Sequence, residues 1–153
     1  MNQPGLIYDH DDHEVQERVK TILGQLGDLT PAMETIGEMA KTSISRNFED
    51  GGRPDRWEDL ADATKAKRIK TRTWPGEILV NKGNLKRISY AADKQSVVIS
   101  AANVPYAAIH HFGGQAGRHH ATNIPARPYL LLQDEDVTEV HAILADFAFG
   151  VHN

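Results

Sequence analysis

The amino-acid sequence predicts a single α+β domain, in which a small antiparallel sheet packs against a long N-terminal helix and a C-terminal helix. Apolar residues recur at three- and four-residue spacing near both ends of the chain, and short alternating segments lie between these two regions. The chain has 153 residues, of which 40% are hydrophobic. That content suffices for one core but not for a second domain of ordinary size. Residues 1–153 are therefore expected to form one domain.

Two helices are predicted in the N-terminal third of the chain. The run Asp12–Leu26 places its apolar residues on one helical face. Thr30 and Pro31 resemble an N-cap and a first helical position, and a stripe of apolar and small residues then continues to Phe48. Asp50 and the two glycines that follow it end this second helix, which is the longest predicted element.

Short strands are predicted in the centre of the chain. Ile78–Val80 and Arg87–Ala92 are apolar or alternating segments, and the second carries its apolar residues on one face. A turn at residues 93–95 leads to Val97–Ala101, which we expect to be the returning strand of an antiparallel hairpin. Tyr129–Leu132 predicts a further strand.

The remaining segments predict two more helices and two extended loops. Tyr106–Phe112 follows a proline and predicts a short helix. Residues 49–76 and 113–123 are polar and contain glycine, so we expect both to be extended loops, the first with room for a short helix around Asp62–Arg68. A final amphipathic helix is indicated by four apolar residues: Val137, Val140, Leu144 and Phe147.

Composition excludes several classes of protein. The chain has no cysteine, so it cannot carry a disulfide scaffold, a thiolate zinc site or a cysteine nucleophile. No run approaches the roughly 18 apolar residues of a membrane span, and the acidic N-terminal region lacks the features of a signal peptide. We therefore expect neither membrane association nor export. The net charge of −4 argues against coating of DNA by bulk electrostatics.

No pattern for catalysis is present. No serine lies in a nucleophile elbow, and no glycine pattern matches a phosphate-binding loop. The carboxylates are spread along predicted helices, where solvated faces account for them. We therefore expect a protein that is not an enzyme and needs no cofactor.

Paired histidines raise the possibility of a metal site. His110 and His111 precede the glycine-rich loop, and His119 and His120 lie within it. Imidazoles bind divalent transition metals. Adjacent side chains diverge on a helix or a strand, however, so such pairs are poor chelators. The alternative is a polar loop whose histidines form hydrogen bonds or face solvent.

A basic cluster lies next to Trp74. Its members are Lys65, Lys67, Arg68, Lys70 and Arg72. These cations could hold phosphates while the aromatic ring stacks on a base, which gives a second hypothesis of a DNA-contacting accessory protein. A solvated helix, or a contact with an acidic neighbouring subunit, would show the same residues.

Several segments, in this order and spacing, resemble one known family. They are the helix Ile36–Phe48 ending in asparagine-phenylalanine, then Trp57–Leu60, Ile78–Ile88, Tyr106–Gly113 and Ile124–Leu130. The chain resembles the phage virion morphogenesis proteins, also called tail completion proteins, of tailed bacteriophages.

The resemblance implies a structural role without enzymatic activity. Such a protein would assemble as a homo-oligomeric ring, with a hexamer expected, at the head-proximal end of the phage tail. There it would complete the tail and allow head-tail joining. Implied partners are tail tube or sheath proteins and head-tail connector proteins, with genomic DNA passing through the lumen without specific binding. The implied location is the neck and tail of the virion, and the host cytoplasm during assembly.

In this reading the two loops are arms that reach a neighbouring subunit or the tail tube. The candidate interface residues are Trp57, Lys65, Lys67, Arg68, Tyr106, His110, Phe112, Gly113, Arg127 and Tyr129. Arg127 stands between two prolines that restrict the backbone around it. Its guanidinium could form a salt bridge to an acidic side chain within the subunit or across an interface. Alternatively it braces the base of the loop within the chain.

Overall fold

The computed structural model describes residues 13–101 and 104–150 of the chain. In these ranges the helices are α1 (His13–Leu26), α2 (Thr30–Glu49), α3 (Asp62–Lys70), α4 (Ala107–Phe112) and α5 (Asp134–Phe149). The strands are β1 (Ile88–Ala92), β2 (Val97–Ala101), β3 (Gly114–Ala116) and β4 (Thr122–Ile124), with a 3-10 turn at Arg118–His120. The predicted α+β class is confirmed.

Helix α2 is the element on which the others pack. The hairpin β1–β2 and helix α5 both pack against α2, and α1 packs against α5. The predicted apolar stripe of α2 is buried: Ala32, Met33, Ile36, Gly37, Ala40, Ser43, Ile44, Asn47 and Phe48. The predicted start differs by one residue, because Leu29 is the N-cap and Thr30 the first helical residue. The Thr30 amide and hydroxyl both donate to the Asp28 carboxylate.

The hairpin β1–β2 approaches α2 closely at one glycine. The two strands are antiparallel, and Tyr90 pairs with Ile99. A Cβ atom on Gly37 would lie 2.3 Å from Cδ2 of Tyr90. Because no side chain fits in that space, the glycine allows the tyrosine ring to lie directly on the helix backbone.

Two predicted strands are wrong. Ile78–Val80 forms a turn, and Tyr129–Leu132 has no regular structure. Leu79 and Tyr129 are buried all the same, at 7% and 1% exposure. Short apolar runs indicate burial, but they carry no periodicity that separates a strand from a buried loop.

The two predicted loops contain more regular structure than expected. Residues 49–76 hold helix α3, which confirms the short helix considered there. Residues 113–123 form most of a small antiparallel hairpin, in which Gly114 pairs with Ile124 and Ala116 with Thr122. We call residues 113–124 the hairpin arm.

The hydrophobic core lies between α2, the hairpin β1–β2 and the irregular segments. Phe48 is fully buried, and its ring packs edge-on against Trp57 and tilted against Tyr129, with centroid distances of 5.9 and 5.3 Å. Leu79, Leu85, Ile44 and Ile88 complete the cluster. Trp57 and Tyr129 are separated in sequence, so the core holds the two irregular segments against the end of α2.

A buried polar network joins the same segments. The Asn47 side-chain amide donates to the carbonyls of Tyr129 and Leu131 at 2.9 and 2.8 Å. Its oxygen accepts from Arg53 Nε at 2.9 Å. The other end of the Arg53 guanidinium donates to the Ser43 hydroxyl, which itself donates to the Asp136 carboxylate. The network thus links α2, the loop after it and the start of α5.

We expect Asn47→Ala to destabilise the protein by about 3 kcal/mol, because it leaves two carbonyls and one guanidinium N–H without partners. Chemical denaturation monitored by circular dichroism measures this change. The control is Thr42→Ala on the same helix, since that exposed hydroxyl bonds only to the helix carbonyl of Glu38. Equal stabilities for the two variants would contradict a structural role of the network.

Candidate assembly interface

The residues predicted to form an interface fall into two groups. Four of them are buried in the subunit: Trp57, Arg68, Arg127 and Tyr129. The others reach the surface to different degrees: Lys65, Lys67, Tyr106, His110, Phe112 and Gly113. The buried group therefore builds the subunit, and the surface group is available to partners.

Arg127 braces the base of the hairpin arm. Its side chain is buried and donates from Nε to the Glu58 carbonyl at 3.0 Å and from Nη2 to the Asp59 carbonyl at 3.1 Å. Its backbone N–H donates to the His110 carbonyl at 2.9 Å. These contacts correspond to the intrachain brace, which was one of the two roles considered for Arg127. The acceptors are backbone carbonyls and not a carboxylate. We call this arrangement the Arg127 clamp.

Arg68 forms a second clamp of the same kind. It donates from Nη1 to the Glu77 carbonyl at 3.0 Å and from Nη2 to the Ile78 carbonyl at 2.8 Å. Its side chain is therefore directed into the subunit and does not belong to an exposed basic surface. Both guanidinium groups remain charged on protein carbonyls, which are good acceptors for their rigid fork of donors.

The predicted basic cluster is divided by the fold. Lys65 pairs with the Asp59 carboxylate at 2.5 Å and lies 5.7 Å from the centre of the Trp74 ring. The hydrogen bond from Lys65 lowers the pKa of Asp59. With Arg68 buried as well, the exposed cations of the cluster are Lys67, Lys70 and Arg72.

The histidines of α4 have different environments. His110 is half-buried, and its ring meets Tyr106 edge-on at 5.8 Å. Its Nδ1 atom is buried and has no hydrogen-bond partner among the described residues. His111 accepts a hydrogen bond from the Leu130 N–H at 3.4 Å, and its ring packs edge-on against Tyr129. The adjacent rings thus contact different parts of the subunit, as expected for neighbours on a helix.

The other histidine pair is exposed on the arm. His119 and His120 both have positive φ values, 57° and 55°, in the turn between β3 and β4. Within residues 13–101 and 104–150, no group of three or more histidine, aspartate and glutamate side chains is placed to hold a metal ion. The fold therefore supplies no metal-binding set from the described histidines.

Gly113 is required where the arm leaves α4. Its φ is 72°, and a Cβ atom there would lie 2.7 Å from the Ala126 backbone nitrogen and 2.9 Å from the Ile124 carbonyl oxygen. The backbone before and after the arm comes this close because the Arg127 amide bonds back to α4. Glycine satisfies both the backbone conformation and the space.

An apolar groove of about 510 Å³ lies beside the arm, between β2, α4 and the segment after the arm. We call it the assembly groove, and its apolar wall includes Ala101, Val104, Ala108, Phe112 and Leu130. Phe112 at its rim is 77% exposed. An exposed phenylalanine beside an apolar groove is typical of a surface that binds another protein.

Sequence reasoning found the rim of this groove but not its wall. Phe112 at the rim and the buried Tyr129 were predicted as interface residues, whereas Ala101, Val104 and Leu130 were not. Ala101 and Val104 are close in sequence, Leu130 lies in another segment, and none has an unusual residue type. Ala101, Val104 and Leu130 come together only in the fold, where all three pack against the hydrophobic core.

Comparison with known proteins gives the family. The family model described as the phage virion morphogenesis family matches residues 10–147. The chain belongs to the phage virion morphogenesis family. The Mu-like prophage FluMu G protein 2 of Haemophilus influenzae is 32% identical over 134 residues, which cover 88% of this chain and 88% of that protein. No solved structure matches the chain.

Membership of the family confirms the predicted resemblance. The segments Tyr106–Gly113 and Ile124–Leu130, on which the resemblance to the family was based, meet at the Arg127 clamp and line the assembly groove. Among the described residues, no helix combines the length and hydrophobicity that a membrane crossing requires.

We expect Arg127→Ala to destabilise the fold by about 3 kcal/mol, because two part-buried carbonyls lose charge-assisted hydrogen bonds and the buried guanidinium no longer fills its site. Arg127→Lys should recover only part of the loss, since an ammonium lacks the planar fork. Thermal or chemical denaturation measures both. The matched control is Arg118→Ala, an exposed arginine of the arm. A stability of Arg127→Ala equal to that of the control would show that the clamp contributes nothing.

Stability should also fall in mild acid because of His110. Burial, then the nearby Arg127 and Arg68 charges, lower the pKa of His110 below its ordinary 6.5. The unfolded chain then takes up the proton first, so this contribution is complete above pH 6.5 and declines as the pH falls below it. His110→Gln should reduce the slope of unfolding free energy against pH below pH 6.5. His120→Gln, an exposed histidine, is the control, and identical slopes would refute the assignment.

Proposed function

We propose that the protein forms a homo-oligomeric ring at the head-proximal end of a phage tail, where it completes the tail and allows head-tail joining. A role in phage virion morphogenesis follows from the family. The ring, its hexameric stoichiometry and its position at the neck are the proposed part. The observation that supports them is the assembly groove with Phe112, exposed by 77%, at its rim.

The groove supports a structural role because of its chemistry. Its wall is mainly apolar, the Tyr129 hydroxyl donates to the Ala107 carbonyl, and Nδ1 of His111 accepts from the Leu130 N–H. Such a surface gains free energy by excluding water on contact with another protein, at about 25 cal/mol per Å² of apolar area. Among the described residues that line the groove, no hydrogen bond joins a nucleophile to a base. We therefore propose a structural protein without enzymatic activity or cofactor.

The ring would bring the protein together with further virion components. The proposed partners are tail tube or sheath proteins on one face of the ring and head-tail connector proteins on the other. Genomic DNA would pass through the lumen without specific binding, in the virion and during assembly in the host cytoplasm. The net charge of −4 is compatible with DNA passage, because an acidic subunit has little bulk attraction for phosphates.

Contact with DNA is the second candidate function. Lys67, Lys70 and Arg72 are exposed, and the structure gives them no ion pair among the described residues. Neutralising all three should abolish any salt-sensitive DNA binding if this candidate is correct. If the unmodified protein does not bind DNA in low salt, contact with DNA is excluded as a function.

We expect the purified protein to associate with increasing concentration, and negative-stain images to show rings of tail-tube diameter. Sedimentation velocity, alone and with tail tubes, measures the association. Phe112→Ser should weaken it by about tenfold or more, because an aromatic anchor loses its apolar contact. Val98→Ser is the matched control, since Val98 is 58% exposed on β2 but does not line the groove. A protein that stays monomeric throughout, with and without tail tubes, contradicts the proposal.

A further inference from the structure

Charge is distributed unevenly along the second half of the chain. Residues 94–133 contain no aspartate or glutamate, and they include β2, α4, the hairpin arm and the wall of the assembly groove. Helix α5 follows directly and contains no lysine or arginine. Its acidic residues are Asp134, Glu135, Asp136, Glu139 and Asp146. The groove and α5 are therefore electrostatically opposite.

The surface formed by the assembly groove and the hairpin arm combines apolar and basic groups. Phe112 stands at the groove rim, and the arm that begins at the next residue carries Arg118, His119 and His120 in its exposed turn. None of these three forms an ion pair with a carboxylate in the described residues. A ligand for this surface therefore needs an apolar stripe and carboxylates beside it.

Helix α5 presents such a face to solvent. Val140, Leu144 and Phe147 are half-buried on the side that faces the subunit. On the outer side Phe149 is 57% exposed, while Val137, three residues before Val140, is 48% exposed at the edge of the inner side. Thr138, Ala142 and Ala145 share the outer face with Phe149, and the carboxylates of Asp134 and Glu139 are exposed beside it. The outer face of α5 is thus an exposed amphipathic surface.

We infer that the assembly groove of one copy receives the outer face of α5 from the next copy. An amphipathic helix bound in an apolar groove is a recurrent mode of protein recognition. Here the apolar stripe would lie against Ala108, Phe112 and Leu130, while the exposed carboxylates of α5 face Arg118 and the arm histidines. The inference rests on the proposed homo-oligomer and names its contact surfaces.

The charges favour this head-to-tail contact over a symmetric one. Groove against groove would bring two surfaces without carboxylates together, and α5 against α5 would bring two acidic helices together. Both arrangements place like charges opposite one another, which costs free energy. Contacts between two different surfaces repeat around a closed ring when the rotation between copies allows closure.

The absence of cysteine makes a direct test possible. Ala108→Cys places a thiol on the groove wall, and Thr138→Cys places one on the outer face of α5. Both positions are exposed. After mild oxidation, a mixture of the two variants should give about tenfold more mixed disulfide dimer than the pair Ser89→Cys and Thr138→Cys, because contact raises the effective thiol concentration. Ser89 is exposed on β1 and lies outside the groove.

The outcomes of the cross-linking test are distinct. Rings that form without the mixed dimer overturn the assigned surfaces and leave the proposed function standing. Preferential dimers of Ala108→Cys with itself also overturn the inference, since they indicate a symmetric contact. A chain that never associates refutes both the ring and the surfaces.

A charge exchange provides a second, independent test. Arg118→Glu and Glu139→Lys should each weaken association by about tenfold, because each leaves like charges across the contact. Mixed in equal amounts, the two variants should associate again. When they alternate, the groove of Arg118→Glu meets the helix of Glu139→Lys, and the unchanged groove meets the unchanged helix, so every contact joins opposite charges. Glu34→Lys, an exposed position on α2, is the control for the changed net charge. Melting temperatures close to that of the parent confirm that the variants are folded, and failure of the mixture to recover association contradicts the inference.

Discussion

Buried side chains that bind backbone carbonyls hold this fold together. The segments between α2 and α5 contain little sheet, so many of their carbonyls have no strand partner. Asn47 bonds to the carbonyls of Tyr129 and Leu131, Arg68 to those of Glu77 and Ile78, and Arg127 to those of Glu58 and Asp59. Each buried carbonyl left without a donor would cost free energy. These three residues therefore do for irregular backbone what a sheet ladder does for strands.

This constraint explains which parts of the fold the sequence could predict. The helices α2 and α5 have a local signal, because their apolar residues repeat at helical spacing, and the hairpin β1–β2 has alternation and a turn. Tyr129–Leu132 and Ile78–Val80 have neither. Their carbonyls are bound by Asn47, which lies 82 residues before Tyr129, and by Arg68, which lies 10 residues before Ile78 in a different element. A local pattern cannot show that a carbonyl will be satisfied by a side chain from another segment.

The candidate interface was predictable in part for the same reason. Motif residues such as Phe112 and Gly113 mark the exit of the hairpin arm, and these can be recognised in a continuous stretch of sequence. Arg127 and Tyr129 lie in an equally distinctive stretch, yet they are buried and shape the surface from beneath. A distinctive residue near an interface can be required for the scaffold instead of the contact. The wall of the groove arises from packing alone.

The Arg127 clamp affects how a partner meets the hairpin arm. The base of the arm is fixed by bonds within one subunit, from Arg127 to the loop before α3 and from its amide to α4. Ordering a flexible segment on association costs conformational entropy, which reduces the affinity that a given contact area can supply. In this subunit the conformational entropy of the arm base is already lost when the chain folds. The arm base is preorganised, so more of the free energy of contact is available for association itself.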